Sequence, residues 1–435
     1  MKFSQYNIVF ENHSKEYILF NSLTGNIFQI TSMVAKAIES NEISNLPTEL
    51  MSPFIQAGIL IDDDKDEHKI VSYFFNKSKF NSIVLSATIL LTLACNFRCK
   101  YCYEGAGEIS KDFMDEAMAD SIIEFLKKRA QKMNVKYIYI MLFGGEPLLN
   151  FKIGLYIVES LRDFCQSNGM IFSCGIITNG FLLSKSILDK LESNYCKMIQ
   201  ITVDGPFEVH NARRPLKDGG GTYTRILQNL ILLENYKDSM QTIIRINVDK
   251  TNKSGVSRLL QDLKAAGIKN VCIDFGIIRE SDNACEDYTM RCFSEEELTT
   301  ILPSLWEEAA ISKLANRPIP SRRWTYCGLY NDNAFTISPM GEVYKCWEMV
   351  GDLRHRIGKL DKDGSMIDIP TAFFDWMAID PVNENQCGMC KYLPVCGGGC
   401  RMISYRKYNN YHAAGCAKIK GLIERQCLNY IQTKL

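Results

Sequence analysis

In the middle of the chain, short apolar runs alternate with segments whose apolar residues recur every three to four positions. The runs lie at 84–93, 137–143, 171–177, 198–203, 242–248 and 270–275. Helical patterns follow at 112–132, 152–167, 184–192, 223–234, 255–266 and 294–312. This alternation predicts strand–helix units and a parallel sheet across residues 83–315. Right-handed crossovers let such a sheet curl into a partial barrel.

The flanking regions read differently. Residues 1–75 open with strand patterns at 6–10, 17–21 and 27–30, with a turn at 22–26. Thr31 or Ser32 can cap a helix running to Ile38, and a second helix fits 48–57 before Gly58. The order suggests a small winged-helix-like unit. The run Asp62-Asp63-Asp64-Lys65-Asp66-Glu67 is expected to be a solvated linker. Residues 316–435 show little regular pattern and many cysteines, so metal is expected to staple them.

Lysine plus arginine equals aspartate plus glutamate, so formal net charge is zero. That balance gives no support for nucleic acid or an acidic membrane surface as partner. No apolar run reaches the roughly 18 residues of a membrane span, and the first residues carry no signal-peptide core. A cytoplasmic protein is expected.

Seventeen cysteines then need a reason. They concentrate around 95–102 and 387–416. In a reducing compartment such clustering points to metal rather than disulfides. Cys95, Cys99 and Cys102 have the spacing C-x3-C-x2-C, with no fourth cysteine nearby. Zinc usually wants four ligands. A four-iron cluster held by three thiolates instead keeps one open iron. The other unusual residues also fall where strands end. They are Gly144-Gly145-Glu146-Pro147, Thr178-Asn179-Gly180, Asp204-Gly205-Pro206 and Asn247. In barrels built this way that rim carries the active site.

The triplet and this rim resemble the radical S-adenosylmethionine (SAM) family. The resemblance implies a six-unit partial TIM-like barrel. It also implies reductive cleavage of SAM to a 5′-deoxyadenosyl radical that abstracts hydrogen from a substrate. Cys95, Cys99 and Cys102 would hold the SAM-cleaving cluster, with Phe97 and Tyr101 shielding it. Tyr101 matches the residue whose backbone contacts adenine. Gly144, Gly145, Glu146 and Pro147 match the glycine-rich segment at the methionine end of SAM, with Glu146 accepting from the ammonium. Thr178 and Asn179 match contacts to ribose or carboxylate. Asp204 and Arg214 match a segment lining the pocket, although the usual His-Asp is His210-Asn211 here.

The C-terminal cysteines resemble a SPASM domain, the cluster-binding extension of many such enzymes. By that resemblance Cys387, Cys390, Cys396 and Cys416 hold one auxiliary 4Fe–4S cluster. Cys327, Cys346 and Cys400 hold the other, giving three clusters in all. No cysteine lies between Cys327 and Cys346. That cluster would keep an open iron, or take a distant ligand such as Cys285 or Cys292. Cys165, Cys174, Cys196, Cys272 and Cys427 fall in strand or helix patterns and read as core residues. The first region resembles the peptide-recognition element of enzymes that modify ribosomally made peptides, where a leader would add as a strand.

The whole resembles a radical SAM/SPASM peptide maturase of the thioether-forming kind. It implies a precursor peptide as substrate and an electron donor such as flavodoxin or ferredoxin. Its expected product is a bond from a cysteine thiol to an unactivated carbon. The alternatives are carbon–carbon or carbon–oxygen cross-linking, formylglycine formation as in sulfatase maturation, and a non-catalytic iron–sulfur electron carrier.

Overall fold

The structure is a computed structural model that describes residues 1–12, 14–105, 110–279, 289–416 and 421–434. Cys285 lies outside them. Packing divides the chain into two compact units.

One unit comprises Met1–Phe80, Arg317–Asn331 and Met377–Leu435. β1 (Lys2–Phe3) pairs antiparallel with β5 (Leu60–Ile61). β2 (Asn7–Glu11), β3 (Tyr17–Asn21) and β4 (Ile27–Ile30) form an antiparallel sheet in that order. The Thr31 hydroxyl accepts the Val34 N–H and starts α1 (Ser32–Glu39). α2 spans Thr48–Gln56 and stops before Gly58, whose φ is +71°. Leu19, Val34, Phe54 and Ile59 close a core between sheet and helices.

The acidic run after β5 is not simply a linker. Asp66 accepts the Lys69 N–H and caps α3 (Glu67–Lys79). Glu67 is buried and accepts from the Ser4 hydroxyl at 2.6 Å and the Gln5 N–H at 2.9 Å. The run looked solvated because its charges are consecutive. Its last carboxylate turns inward because two donors wait there.

A second core of this unit joins residues far apart in sequence: Ile8, Phe20, Tyr392, Val395, Ile423 and Cys427. The helices of this part are α12 (Asn385–Gly388), α13 (Leu393–Cys396), α14 (Arg401–Tyr408) and α15 (Leu422–Lys434), and the first strands share an interior with α13 and α15.

The other unit comprises Asn81–Asn316 and Asp332–Trp376. Its strands β6 (Val84–Leu90), β7 (Tyr137–Phe143), β8 (Ile171–Thr178), β9 (Cys196–Thr202), β10 (Gln241–Val248) and β11 (Val271–Ile277) are parallel and adjacent in sequence order. Between and after them run α4 (Glu116–Lys132), α5 (Phe151–Ser167), α6 (Lys185–Ser193), α7 (Phe207–Arg213), α8 (Tyr223–Leu233), α9 (Val256–Ala265) and α10 (Glu295–Ile311). The six expected strands and six expected helices all appear, within a few residues of their predicted ends. Alternate residues of β10 (Thr242, Ile244, Ile246, Val248) are buried, and Ile243, Arg245 and Asn247 point to the other face.

The sheet continues beyond β6. β12 (Ala334–Ile337) pairs parallel to it, followed by β13 (Glu342–Tyr344), β14 (Gly358–Leu360) and β15 (Met366–Ile367) in antiparallel order. α11 spans Thr371–Met377. These strands hold two to four residues each, too few for a period-2 pattern to show in the sequence.

Candidate active site

β6 delivers the chain to the loop that carries Cys95, Cys99 and Cys102. The next strand's rim grips the start of that loop. Gly145 N–H donates to Thr92 O and Glu146 N–H to Ala94 O, both at 3.0 Å. A Cβ on Gly144, where φ is +122°, would lie 2.2 Å from Thr92 O. One on Gly145 would lie 2.4 Å from Ala94 O. Both glycines are demanded by backbone-to-backbone approach.

The far side of the loop pairs with the segment after α7. Arg98 N–H donates to Pro215 O at 2.9 Å, Lys100 N–H to Arg213 O at 3.2 Å and Lys217 N–H to Asn96 O at 3.1 Å. Phe97, fully buried, packs edge-on against Phe181. The cysteine loop is thus held between the segment that ends β7 and the connection that follows β9.

Glu146 has no exposed surface. Its carboxylate accepts from Thr178 Oγ1 at 2.7 Å, Asn179 N at 2.7 Å and Leu148 N at 3.0 Å. Burial raises its pKa, and those three donors oppose the rise. Pro147 follows at the first position of a 3-10 turn. Asn179 Nδ2 donates to Asn96 Oδ1 at 2.7 Å. Glu146, Thr178 and Asn179 therefore form one connected group beside Cys95.

Tyr101 centres a second group. Its hydroxyl donates to Asp204 Oδ2 and accepts from Arg214 Nη1 at 2.6 Å and Asn247 Nδ2 at 3.2 Å. Asp204 Oδ1 accepts the Asn247 N–H at 3.0 Å. Arg213 donates to Asp249 Oδ2 at 2.8 Å and lies 5.1 Å from the Tyr101 ring centroid. Its Nε is 3.6 Å from Asp204. Arg213 and Arg214 are both buried, not residues of an ordinary exposed loop. Asp204 and Arg214 thus meet the Tyr101 phenol, where sequence matching assigned Tyr101 a backbone role.

Some participants were given no role of their own from the sequence. His210 Nδ1 accepts the Asp204 N–H at 3.2 Å from full burial. The signal was there, six residues after the aspartate, but a lone histidine in a helix is usually packing. Arg245 and Asp274 form an ion pair across β10 and β11, at register-paired positions. Arg245 Nε also donates to Asn247 Oδ1 at 3.2 Å. A continuous polar chain thus runs from Tyr101 through Asn247 and Arg245 to Asp274. Asn247 was visible as a strand-end residue, but nothing local gave it this bridging role.

The thiols suit iron–sulfur ligation. Burial first, then Glu146, pushes the Cys95 thiol up to about 12. A buried sulfur this hard to ionise becomes a thiolate when a metal supplies the opposing charge. The Phe97 N–H already donates to Cys95 Sγ at 3.4 Å, a contact that favours thiolate. Among the described residues no three His, Cys, Asp or Glu side chains converge at metal-binding distance.

Cys387, Cys390, Cys396 and Cys416 all belong to the other unit; Cys396 and Cys416 lie close enough to act on the Cys387 thiol, and Cys416 and Cys390 on the Cys396 thiol. Burial and Glu384 push the Cys387 thiol up to about 12. Burial pushes Cys396 up to about 11, while the Gly398 and Gly399 N–H groups donate to its sulfur. Gly397, Gly398 and Gly399 all have positive φ, a backbone that glycine permits. These donors also fit a cluster. Cys327 and Cys400 belong to the same unit as those four, and Cys346 to the barrel unit. Cys292 follows the 3-10 turn Thr289–Arg291 and precedes the α10 cap Ser294.

Comparison with known proteins decides the class of the barrel unit. Residues 89–263 match the family described as the Radical SAM superfamily. The chain carries a radical SAM domain. That domain implies SAM and one 4Fe–4S cluster as its cofactors. The radical SAM cyclopropyl synthase TigE of Paramaledivibacter caminithermalis is 22% identical over 98% of this chain and 95% of its own. Streptococcus suis SuiB bound to its precursor peptide SuiA superposes with a TM-score of 0.55 at 12% identity. That match covers 97% of this chain and 100% of SuiB. The structure of anSMEcpe with bound AdoMet and the Cp18Cys peptide gives a TM-score of 0.58 at 18% identity. It covers 81% of this chain and 100% of anSMEcpe. Both show the same fold for the radical SAM domain. No helix of the described residues is long and apolar enough to cross a membrane.

Proposed function

We propose that this radical SAM enzyme matures a ribosomally made precursor peptide, forming a new bond within it with net loss of two hydrogens. The observation that carries the reading is the end-to-end likeness to a radical SAM cyclopropyl synthase, over 98% of this chain. The N-terminal residues lie within that match. SAM bound beside the cluster of Cys95, Cys99 and Cys102 would supply the hydrogen-abstracting radical.

The chain's own residues then have these roles. Gly144 and Gly145 fix the cysteine loop through Thr92 and Ala94. Glu146, Thr178 and Asn179 present one polar edge to SAM. Tyr101, Asp204 and Arg214 present another. Asn247, Arg245 and Asp274 extend that edge along β10 and β11 toward the peptide. Cys387, Cys390, Cys396 and Cys416 would hold one auxiliary cluster, and Cys327, Cys346 and Cys400 the other. A flavodoxin or ferredoxin would supply electrons.

The N-terminal sheet would take the leader. Its outer strands β2 and β4 each pair on one side only within it, so a peptide strand can add to an edge.

The product we favour is a thioether from a substrate cysteine, because no cysteine lies between Cys327 and Cys346 to complete that ligand set. The name of the end-to-end relative favours a second product, a carbon–carbon bond. Incubating reduced, reconstituted enzyme with SAM and the precursor separates them. Both give 5′-deoxyadenosine and a peptide lighter by two hydrogens. The thioether also consumes one alkylatable thiol, and an unchanged thiol count overturns it. Absence of 5′-deoxyadenosine would overturn the enzyme reading and favour an electron carrier.

A further inference from the structure

The pairing between the cysteine loop and the segment after α7 fixes one particular juxtaposition. Arg98 N–H bonds to Pro215 O and Lys100 N–H to Arg213 O. These antiparallel bonds flank Cys99 on one strand and Arg214 on the other, so the two residues stand opposite each other.

Arg214 is buried, with 8% of its surface exposed. Nη1 donates to the Tyr101 hydroxyl at 2.6 Å, and the guanidinium carbon lies 5.8 Å from the Phe97 ring centroid. Nε has no hydrogen-bond partner among the described residues. Arg214 makes no salt bridge among them either, while its neighbour Arg213 pairs with Asp204 and Asp249. A buried cation without its own anion is costly. The backbone pairing sets the Cys99 side chain against it, and the charges of Asp204 and Glu146 also reach it.

We propose that Arg214 is the positioning residue that sets the redox poise of the SAM-cleaving cluster, its fixed charge opposite Cys99 making that cluster easier to reduce. This role rests on reading Cys95, Cys99 and Cys102 as the ligands, and it differs from contact with SAM. One added electron makes the site one unit more negative. A permanent guanidinium at close range in a low-dielectric setting favours that state. Net charge around a cluster is one of the known determinants of its potential.

The test uses full-length, anaerobically reconstituted wild type, R214Q and R214K, with no SAM added. Iron and sulfide are quantified, and dye-mediated redox titrations are followed by electron paramagnetic resonance. The relevant signal is the one lost from the C95A/C99A/C102A triple variant. Its persistence there would overturn the ligand reading itself. R214Q is expected to show a tenfold lower reduced-to-oxidised ratio at fixed potential, about 59 mV for a one-electron couple. R214K is expected to stay within threefold of wild type. Failure of R214Q alone to load iron also supports a need for charge. A wild-type ratio in loaded R214Q overturns the proposal, as do equal losses in R214Q and R214K.

Discussion

The Tyr101 hydroxyl donates to Asp204 Oδ2, joining the cysteine loop to the end of the fourth strand of the barrel. The same oxygen accepts from Arg214 and Asn247. Tyr101→Phe removes one atom and strips a partner from the buried Asp204 and Arg214 and from the half-buried Asn247. The expected cost is about 1–3 kcal/mol in urea unfolding, together with weaker SAM binding by equilibrium dialysis. Unchanged stability and binding would show that the phenol is dispensable.

Gly145→Ala forces a methyl against Ala94 O and Leu93 O, 2.4 and 2.7 Å from where its Cβ must sit. Both are backbone atoms and cannot swing aside. The cysteine loop has to shift, so iron bound after reconstitution should fall and SAM cleavage should drop at least tenfold. Iron assay and 5′-deoxyadenosine quantification check this.

Glu146→Gln keeps the shape and changes the chemistry. The carboxylate serves three donors. The amide nitrogen of glutamine must face at least one of them. The expected destabilisation is about 1–3 kcal/mol, and Asp is not expected to rescue it because it is too short. Thermal unfolding of the two variants decides it.

Asp249→Asn leaves the buried Arg213 guanidinium without its strongest partner. Breaking a buried pair from one side costs about 3–5 kcal/mol. The double change Asp249→Asn with Arg213→Met should recover part of that loss. A larger loss in the double variant would contradict it.

Burial, then Arg214 and Arg213, hold the His210 pKa well below its usual 6.5. The folded chain therefore keeps His210 neutral where the unfolded chain protonates it. Stability from this residue is intact above pH 6.5 and falls as pH drops, by about 1.4 kcal/mol per pH unit. His210→Gln should show a shallower acid-side slope in unfolding free energy. An identical slope would place the acid sensitivity elsewhere.

The barrel was legible because its signal is periodic and long. Helices of 9 to 17 residues and strands of 7 or 8 leave clear patterns, while the seven-residue α7 did not. The site was partly legible because strand-end residues share one rim by topology. What stayed hidden depends on contacts between distant residues. Arg245 and Asp274 meet only through the register of β10 and β11. Glu67 looked like one more charge in an acidic run until Ser4 and Gln5 were seen to bond it. The short strands from β12 onward have no pattern to read; β12 pairs with the edge of β6, and each later strand pairs with the one before it.

Ile8 and Phe20 pack with Tyr392, Val395 and Cys427, near opposite ends of the chain. A growing chain exposes those first strands while the residues that will cover them are still untranslated. Contacts of such sequence separation form slowly and leave apolar surface open meanwhile. The segment around Tyr392 and Val395 packs on these early strands, so its core closes late in synthesis. Removing the first 75 residues to test leader binding would also strip the floor from that region. A precursor peptide shortened at its own leader is the cleaner probe.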